Sequence, residues 1–213
     1  MKKLILSMAL VGYVALINTN QASAQAVGQG NIITVPQYGF PNLFAYALRT
    51  AYNNSNYTGL EIKGFGPTGV QFEFMVTDKI GLGLKSNFSS TSISYDENTE
   101  VYDPNTGQYT SSIYNYKLKF VRWRAMPRFS FHFGNSDKFD GYFGVAAGYS
   151  AFKLSYETDD PNYTGDIAIS NPVPIGFRLD VGGNYFFTEK MGLNFEIGLG
   201  GGPVINAGIA TKF

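Results

Sequence analysis

Residues 191–213 read MGLNFEIGLGGGPVINAGIATKF, and their alternation decides the fold. Met191, Leu193, Phe195, Ile197 and Leu199 fall on one face, while Lys190, Gly192, Asn194, Glu196, Gly198 and Gly200 fall on the other. A period of two marks a strand with a single apolar face. The pattern recurs upstream. Val70, Phe72, Phe74 and Val76 oppose Gln71 and Glu73, and Phe177, Leu179, Val181 and Tyr185 oppose Arg178, Asp180 and Asn184. The chain then ends on Phe213, a large apolar residue where termini ordinarily fray.

Alternation alone leaves two barrels open, one with an apolar lumen in water and one with an apolar outer wall in lipid. The polar face is rich in glycine, which suits a narrow interior, whereas a soluble surface carries scattered Lys and Glu. Segments of about eleven residues also match the ~9–11 residues of a tilted membrane strand. Composition agrees. Charged residues make up 15% of the chain and aromatics 16%, against ~25% charged in soluble domains. The reading is an apolar outside.

The N-terminus has the form of a secretory signal, residues 1–24. Lys2 and Lys3 precede the apolar run LILSMALVGYVALI, and Ala22-Ser23-Ala24 offers a small-residue cleavage site. That run is shorter than the ~20 residues of a spanning helix, although an uncleaved anchor is the alternative. Residues 25–213 remain as one domain. They carry 14 basic and 16 acidic residues, no footprint of nucleic-acid binding. With no cysteine, disulfides and thiolate metal sites are excluded.

Three short connections share their chemistry: VTDKIGLGL from Val76, NSDKFDGYF from Asn135 and FTEKMGLNF from Phe187. Each sets Thr or Ser, an acid and Lys between alternating runs, as tight hairpins need. Residues 96–111 and 157–169 read as long polar loops. Short turns at one end and long loops at the other is the asymmetry of outer-membrane barrels. Strands are expected near 59–76, 79–95, 112–133, 140–157, 171–188, 190–200 and 203–213. An eighth, interrupted by Pro36, begins near Gln29. The expected fold is all-β: a closed antiparallel up-and-down transmembrane barrel of about eight strands. A short helix, NLFAYALRTAYN from Asn42, sits in the first outer loop over the barrel mouth. Asn42 caps it, and Leu43, Phe44, Ala47, Leu48 and Ala51 share one face. In the strand near 112–133 the apolar residues change parity, from Tyr114, Tyr116, Leu118 and Phe120 to Trp123, Phe129, Phe131 and Phe133. A bulge near Val121 absorbs such a slip, turning Lys117, Lys119, Arg122, Arg124 and Arg128 inward together.

The pieces MPRFSFHFG, DGYFGVAAGY and NYFFTEKMGLNFEIGLGGGPVINAGIATKF resemble the small eight-stranded outer-membrane β-barrel proteins of Bacteroidota, and more distantly OmpA- and OmpX-type barrels. This resemblance implies residence in the outer membrane of a Gram-negative bacterium with the C-terminus periplasmic. Its implied partners are outer-membrane lipid and lipopolysaccharide, plus the barrel-assembly machinery during biogenesis. It also implies a C-terminal assembly signal, fitted here by Gly208, Ile209 and Phe213, with Thr211 departing from the usual bulky residue. No general activity attaches to the family.

Chemistry is sparse. The single histidine, His132, lies beside the short turn at Gly134, whereas barrel enzymes that modify lipid resemble this chain in size but place a histidine near the outer surface. One histidine also leaves a His-based metal centre without ligands. The two polar loops hold Asp96, Glu97, Glu100, Asp103, Glu157, Asp159, Asp160 and Asp166, and no Lys or Arg. Such a rim attracts cations, with Asp159, Asp160 and Asp166 as weak metal candidates. Inside, Lys63, Lys85, Arg122, Arg124, Arg128 and Arg178 face Glu61, Glu73, Asp180 and Glu196. They form either an ion-paired plug or the lining of a narrow pore, and eight strands leave room for little beyond side chains. The expected function is therefore non-enzymatic, needs no cofactor, and is structural or a matter of surface interaction with an unknown ligand. The alternatives are a narrow porin-like channel for small solutes and a lipid-modifying enzyme.

Overall fold

The computed structural model describes residues 25–52, 57–133, 136–161, 163 and 168–213; the expected signal segment 1–24 lies outside them. In chain order the elements are β1 (Ile32–Phe40), α1 (Leu43–Tyr52), β2 (Thr58–Met75), β3 (Ile80–Asp103), β4 (Gln108–Phe133) and β5 (Phe139–Thr158). They continue with β6 (Ala168–Ser170), β7 (Ile175–Phe186), β8 (Met191–Gly200) and β9 (Ile205–Lys212).

All pairings are antiparallel. β1 pairs with both β2 and β9, and β4 with both β3 and β5, so the sheet closes without a free edge around its body. β6 and β7 both pair with β5 and form one interrupted wall, which makes the closed barrel eight-stranded. Asn171-Pro172-Val173-Pro174 breaks that wall because proline offers no ladder donor. The Asn171 carboxamide bridges the gap, accepting from the Phe152 amide at 2.9 Å and donating to Ser150 O at 2.9 Å. Phe213 seals the seam. Its amide donates to Ile32 O at 2.9 Å, and its carbonyl accepts from the Ile32 amide at 3.0 Å.

The three short turns use one device. Thr77 Oγ1 accepts from the Lys79 and Ile80 amides (3.2 and 3.0 Å), and Thr188 Oγ1 from those of Lys190 and Met191 (3.3 and 2.9 Å). Ser136 Oγ takes those of Lys138 and Phe139, both at 3.3 Å. The hydroxyl two residues before Lys is thus why the three sequences look alike.

At the other end the expected loop 96–111 is mostly strand. β3 and β4 stay in register to Asp103↔Gln108, well past the last residues paired to β2 and β5, at Asp96 and Tyr116. The tip turns at Asp103, which accepts from the Asn105 amide at 2.9 Å and the Thr106 hydroxyl at 3.0 Å. Those bonds hold its carboxyl below the usual carboxylate range. Gly107 supplies the positive φ of 65° that closes the turn.

Asn42 caps α1 as expected, accepting from the Ala45 amide at 3.2 Å. The buried face differs from the expected one. Ala45 is buried against Gly64, whereas Leu43, Phe44, Ala47 and Ala51 are exposed, Phe44 with its ring tilted against Phe120 at 4.4 Å between centroids. The helix leans on the inner walls of β2, β3 and β4 and so orients by aromatic contacts on that side.

Candidate functional site: the charged interior and the chamber above it

Strand parity places the side chains. Odd residues of β3 and even residues of β4, β5, β7, β8 and β9 point inward, and over the lower wall the outward set is largely apolar. Leu82, Leu84, Phe129, Phe131, Phe143, Val181, Phe195 and Ile197 are 40–63% exposed. The inward set is polar and closed from solvent. Lys85, Arg178 and Asn194 are 0% exposed, Asp180 and Glu73 1%, Glu196 2%, Arg128 and His132 3%.

These groups pair with one another, although Arg128 Nε, Arg178 Nε and Asn194 Oδ1 have no hydrogen-bond partner among the described residues. Arg128 donates to Glu73 Oε2 at 2.9 Å and to Asp180 Oδ1 at 2.7 Å, and its guanidinium lies 4.7 Å from the Tyr142 ring centroid. Lys85 is paired with Glu196 and stands 3.5 Å from Asp180. Arg178 donates to Glu196 at 2.8 Å and to Pro203 O at 2.9 Å, with its Nε 3.4 Å from Asp180. Asn206 donates to Glu196 at 2.9 Å, as does the Tyr142 hydroxyl at 3.2 Å. Burying an ion is costly unless attraction and further hydrogen bonds repay the lost hydration. Here each of Lys85, Arg128 and Arg178 faces two carboxylates.

Toward the short-turn end, His132 stands between Asp140 (Nδ1, 2.8 Å) and Glu73 (Nε2, 3.0 Å). Both ring nitrogens can donate to carboxylates only in the imidazolium. Asn184 completes the cluster, donating to Asp140 at 2.9 Å. Ser130 Oγ lies 3.2 Å from His132 Nε2, which gives a Ser-His-Asp sequence of contacts. That nitrogen also faces Glu73, and Ser130 is 0% exposed with its hydroxyl directed to Gly81 O at 3.3 Å. The three residues therefore form part of the packing, with no approach for a substrate carbonyl. Beneath them Ala26, Val27, Ile33, Val35, Met75, Phe186 and Ala210 form an apolar cluster across the barrel.

Four residues expected inside are elsewhere, Glu61 and Lys63 on β2 and Lys117 and Lys119 on β4. Glu61 and Lys63 are exposed and pair with each other at 2.7 Å. Between Phe65 and Thr68 strand β2 carries one extra residue against Ser90–Phe88 of β3, at Gly66-Pro67. That bulge reverses parity, so Gln71 and Glu73 point inward while Glu61 and Lys63 point out. The bulge expected near Val121 is absent. β4 runs unbroken against β3 from Gln108 to Phe131. Lys117 and Lys119 therefore face outward, Lys117 lying 3.6 Å from Glu157, and Phe120 and Tyr116 face inward.

Above the charged layer the interior becomes aromatic. Phe120 contacts Phe44 and Phe152 (5.3 Å between centroids), and Tyr116 contacts Tyr95 and Tyr156 at 5.7 and 6.0 Å. Arg122 and Arg124 mark the boundary. Arg122 lies 5.0 Å from the Phe120 ring centroid, and Arg124 donates to Asn87 Oδ1 at 2.8 Å and Ser150 Oγ at 3.2 Å. The structure thus gathers Glu73, Lys85, Arg128, Arg178, Asp180 and Glu196 into one network and leaves Arg122 and Arg124 outside it. Parity could have placed Tyr142, His132, Asp140, Asn184, Asn194 and Asn206 inside as well.

Two of the weak metal candidates are described, each holding a hydrogen bond of its own. Asp159 accepts from the Asn115 amide at 2.7 Å and Asp160 from the Tyr116 hydroxyl at 3.1 Å, while Asp166 lies outside the described residues. Among the described residues no group of three or more acids, His or Cys could hold a metal.

No protein-family model matches the chain, and no curated protein sequence does. Solved barrels are similar at low identity. The N-terminal barrel domain of OprF from Pseudomonas aeruginosa is 12% identical, with 88% of this chain and 100% of that one covered and a TM-score of 0.43. OprG from the same organism is 12% identical (87% and 97% covered, TM-score 0.45), and outer membrane protein W of E. coli 14% (86% and 98%, TM-score 0.40).

Proposed function

We propose that this chain is a non-enzymatic integral outer-membrane barrel with a closed lumen that holds up the β3–β4 hairpin for surface interaction. The observation that carries the reading is the pairing of an exposed apolar wall with a buried, ion-paired interior. Water would leave that wall as an apolar patch far larger than soluble monomers expose; lipid covers it. Trp123 and Tyr149, with ring centroids 4.8 Å apart, stand at its upper margin, where aromatic girdles meet the interface. From Val121 to Phe133, at ~3.3 Å per residue and ~40° of tilt, the wall spans about 30 Å, against the ~25 Å of an apolar band.

The short turns then face the periplasm and the long hairpin the outside. In this reading the lipid partners are outer-membrane lipid and lipopolysaccharide, and Gly208, Ile209 and Phe213 form the signal read by the assembly machinery. Deleting Phe213 tests the signal: outer-membrane yield in cells should fall much more than refolding in detergent. Equal losses would leave only the seam bonds to Ile32.

The plug is what separates this role from a narrow channel. Planar-bilayer recording of the refolded protein decides between them. Silence at ordinary voltages is the expected result, and steady open currents from the unaltered protein would replace the plug with a pore.

A further inference from the structure

We propose that Arg122 and Arg124, with Asn87, bind a small solute oxyanion (a phosphate, sulfate or carboxylate) where the charged interior meets the aromatic one. The site lies above the plug and does not depend on whether the barrel conducts.

The interior is charge-balanced below this level and not at it. Lys85, Arg128 and Arg178 each face two carboxylates, and His132 joins Glu73 and Asp140. Arg124 is also buried, at 6% exposure, yet its partners are the neutral Asn87 and Ser150. Among the described residues neither Arg124 nor Arg122 meets an acid. The two stand one pleat apart on the same face of β4, so their charges add. An enclosed cation without a counter-charge is what a protein ordinarily avoids.

Asn87 points independently to a ligand. It is 5% exposed, and because its Oδ1 accepts from Arg124, its amide nitrogen is left as a buried donor, with no partner among the described residues. Buried donors are ordinarily satisfied. A guanidinium fork and an adjacent amide N–H are the donors an oxyanion takes. Beside them Gly201 lies against the Arg124 stem, where a Cβ would stand 3.5 Å from its Cδ and Nε. The Phe120 and Phe152 rings at 5.0 and 6.0 Å cover Arg122 without neutralising it.

The test is a titration of the refolded, isotope-labelled protein in phosphate-free micelles with inorganic phosphate, sulfate and acetate. Magnetic resonance follows the Asn87 side-chain amide and Arg124 Nε–H. Saturable shifts in the millimolar range are expected. Asn87→Asp sets a carboxylate where the anion would sit, and should weaken the response at least tenfold, as should Arg124→Gln. Lys117→Gln, outward on the same strand, should leave it unchanged. Signals that stay still with all three anions, or that move equally in Asn87→Asp, would overturn the site. So would a response to micellar lipopolysaccharide phosphate alone, which would assign the oxyanion to a lipid headgroup.

Discussion

The two halves of β4 are built inside out with respect to each other. From Val121 to Phe133 the outward residues include Trp123, Phe129, Phe131 and Phe133, and the inward ones Arg124, Arg128, Ser130 and His132. From Tyr116 to Phe120 the inward residues are Tyr116, Leu118 and Phe120, and the outward ones Lys117 and Lys119. The register never slips between them. Parity is fixed by the pleat, so the chemistry on each face changes when the surroundings change, not when the backbone does. β3 repeats the lesson: Leu82, Leu84 and Phe88 face out below, and Ser90, Ser92 and Ser94 above. In the proposed reading the lower half stands in lipid around a polar core, and the upper half stands in water around an aromatic one.

The largest effect is expected from Asp180→Asn in the lower core. It removes the carboxylate that lies within reach of Arg128, Lys85 and Arg178. Breaking a buried pair by deleting one partner costs ~3–5 kcal/mol. Urea unfolding of the protein in lipid vesicles measures it. A loss below about 1 kcal/mol, the range of exposed pairs, would mean that the lower interior is wet.

Phe129→Arg tests the other face of the same half. Phe129 is outward and 45% exposed near the middle of the apolar wall, and arginine facing lipid near the midplane costs ~2–4 kcal/mol. The same unfolding measurement applies. A neutral result would remove the lipid from the comparison and leave a soluble barrel throughout.

Much of this was legible in the sequence, and the failures share a cause. The alternation of residues 191–200 and the Thr/Ser-acid-Lys turns announced the barrel, because a pleat and a tight turn each impose a local pattern. Glu73, Lys85, Arg178, Asp180 and Glu196 are legible as interior because they share parity with glycine, and Arg128 because it alternates with Phe129 and Phe131. Arg122 and Arg124 lie inside as expected, alternating with Trp123, whereas Lys117 and Lys119, expected beside them, face outward. The change from Phe120 to Phe129 reads as a slip in the strand only if one environment surrounds its whole length. Glu61 and Lys63 failed in the opposite way: a true slip at Gly66-Pro67 lay between them and Glu73, and parity was carried across it. Tyr142 was missed because an aromatic ring reads as apolar, whereas its hydroxyl donates to Glu196 and accepts from Asn194 at 2.9 Å. The hairpin at 96–111 read as loop because its acids, Asn and Thr lack an apolar face, and a hairpin standing in water needs none.

The smallest expected effect draws the boundary most sharply. Lys119 is outward, flanked in register by Ser92 and Ser155, one pleat above Val121 where the apolar wall ends. In water, exchanging an outward lysine for leucine falls among surface substitutions that stay within about 0.5 kcal/mol. In lipid it would remove a charge costing ~2–4 kcal/mol at depth and ~0–1 near the interface. Lys119→Leu should therefore leave unfolding in vesicles nearly unchanged, although Phe129→Arg, an exchange of opposite sense ten residues along the same strand, is costly. A gain of 2 kcal/mol or more would place Lys119 within the hydrocarbon. The aromatic interior at Phe120 would then lie inside the membrane, and the inversion of the two halves would need a cause other than the change of solvent.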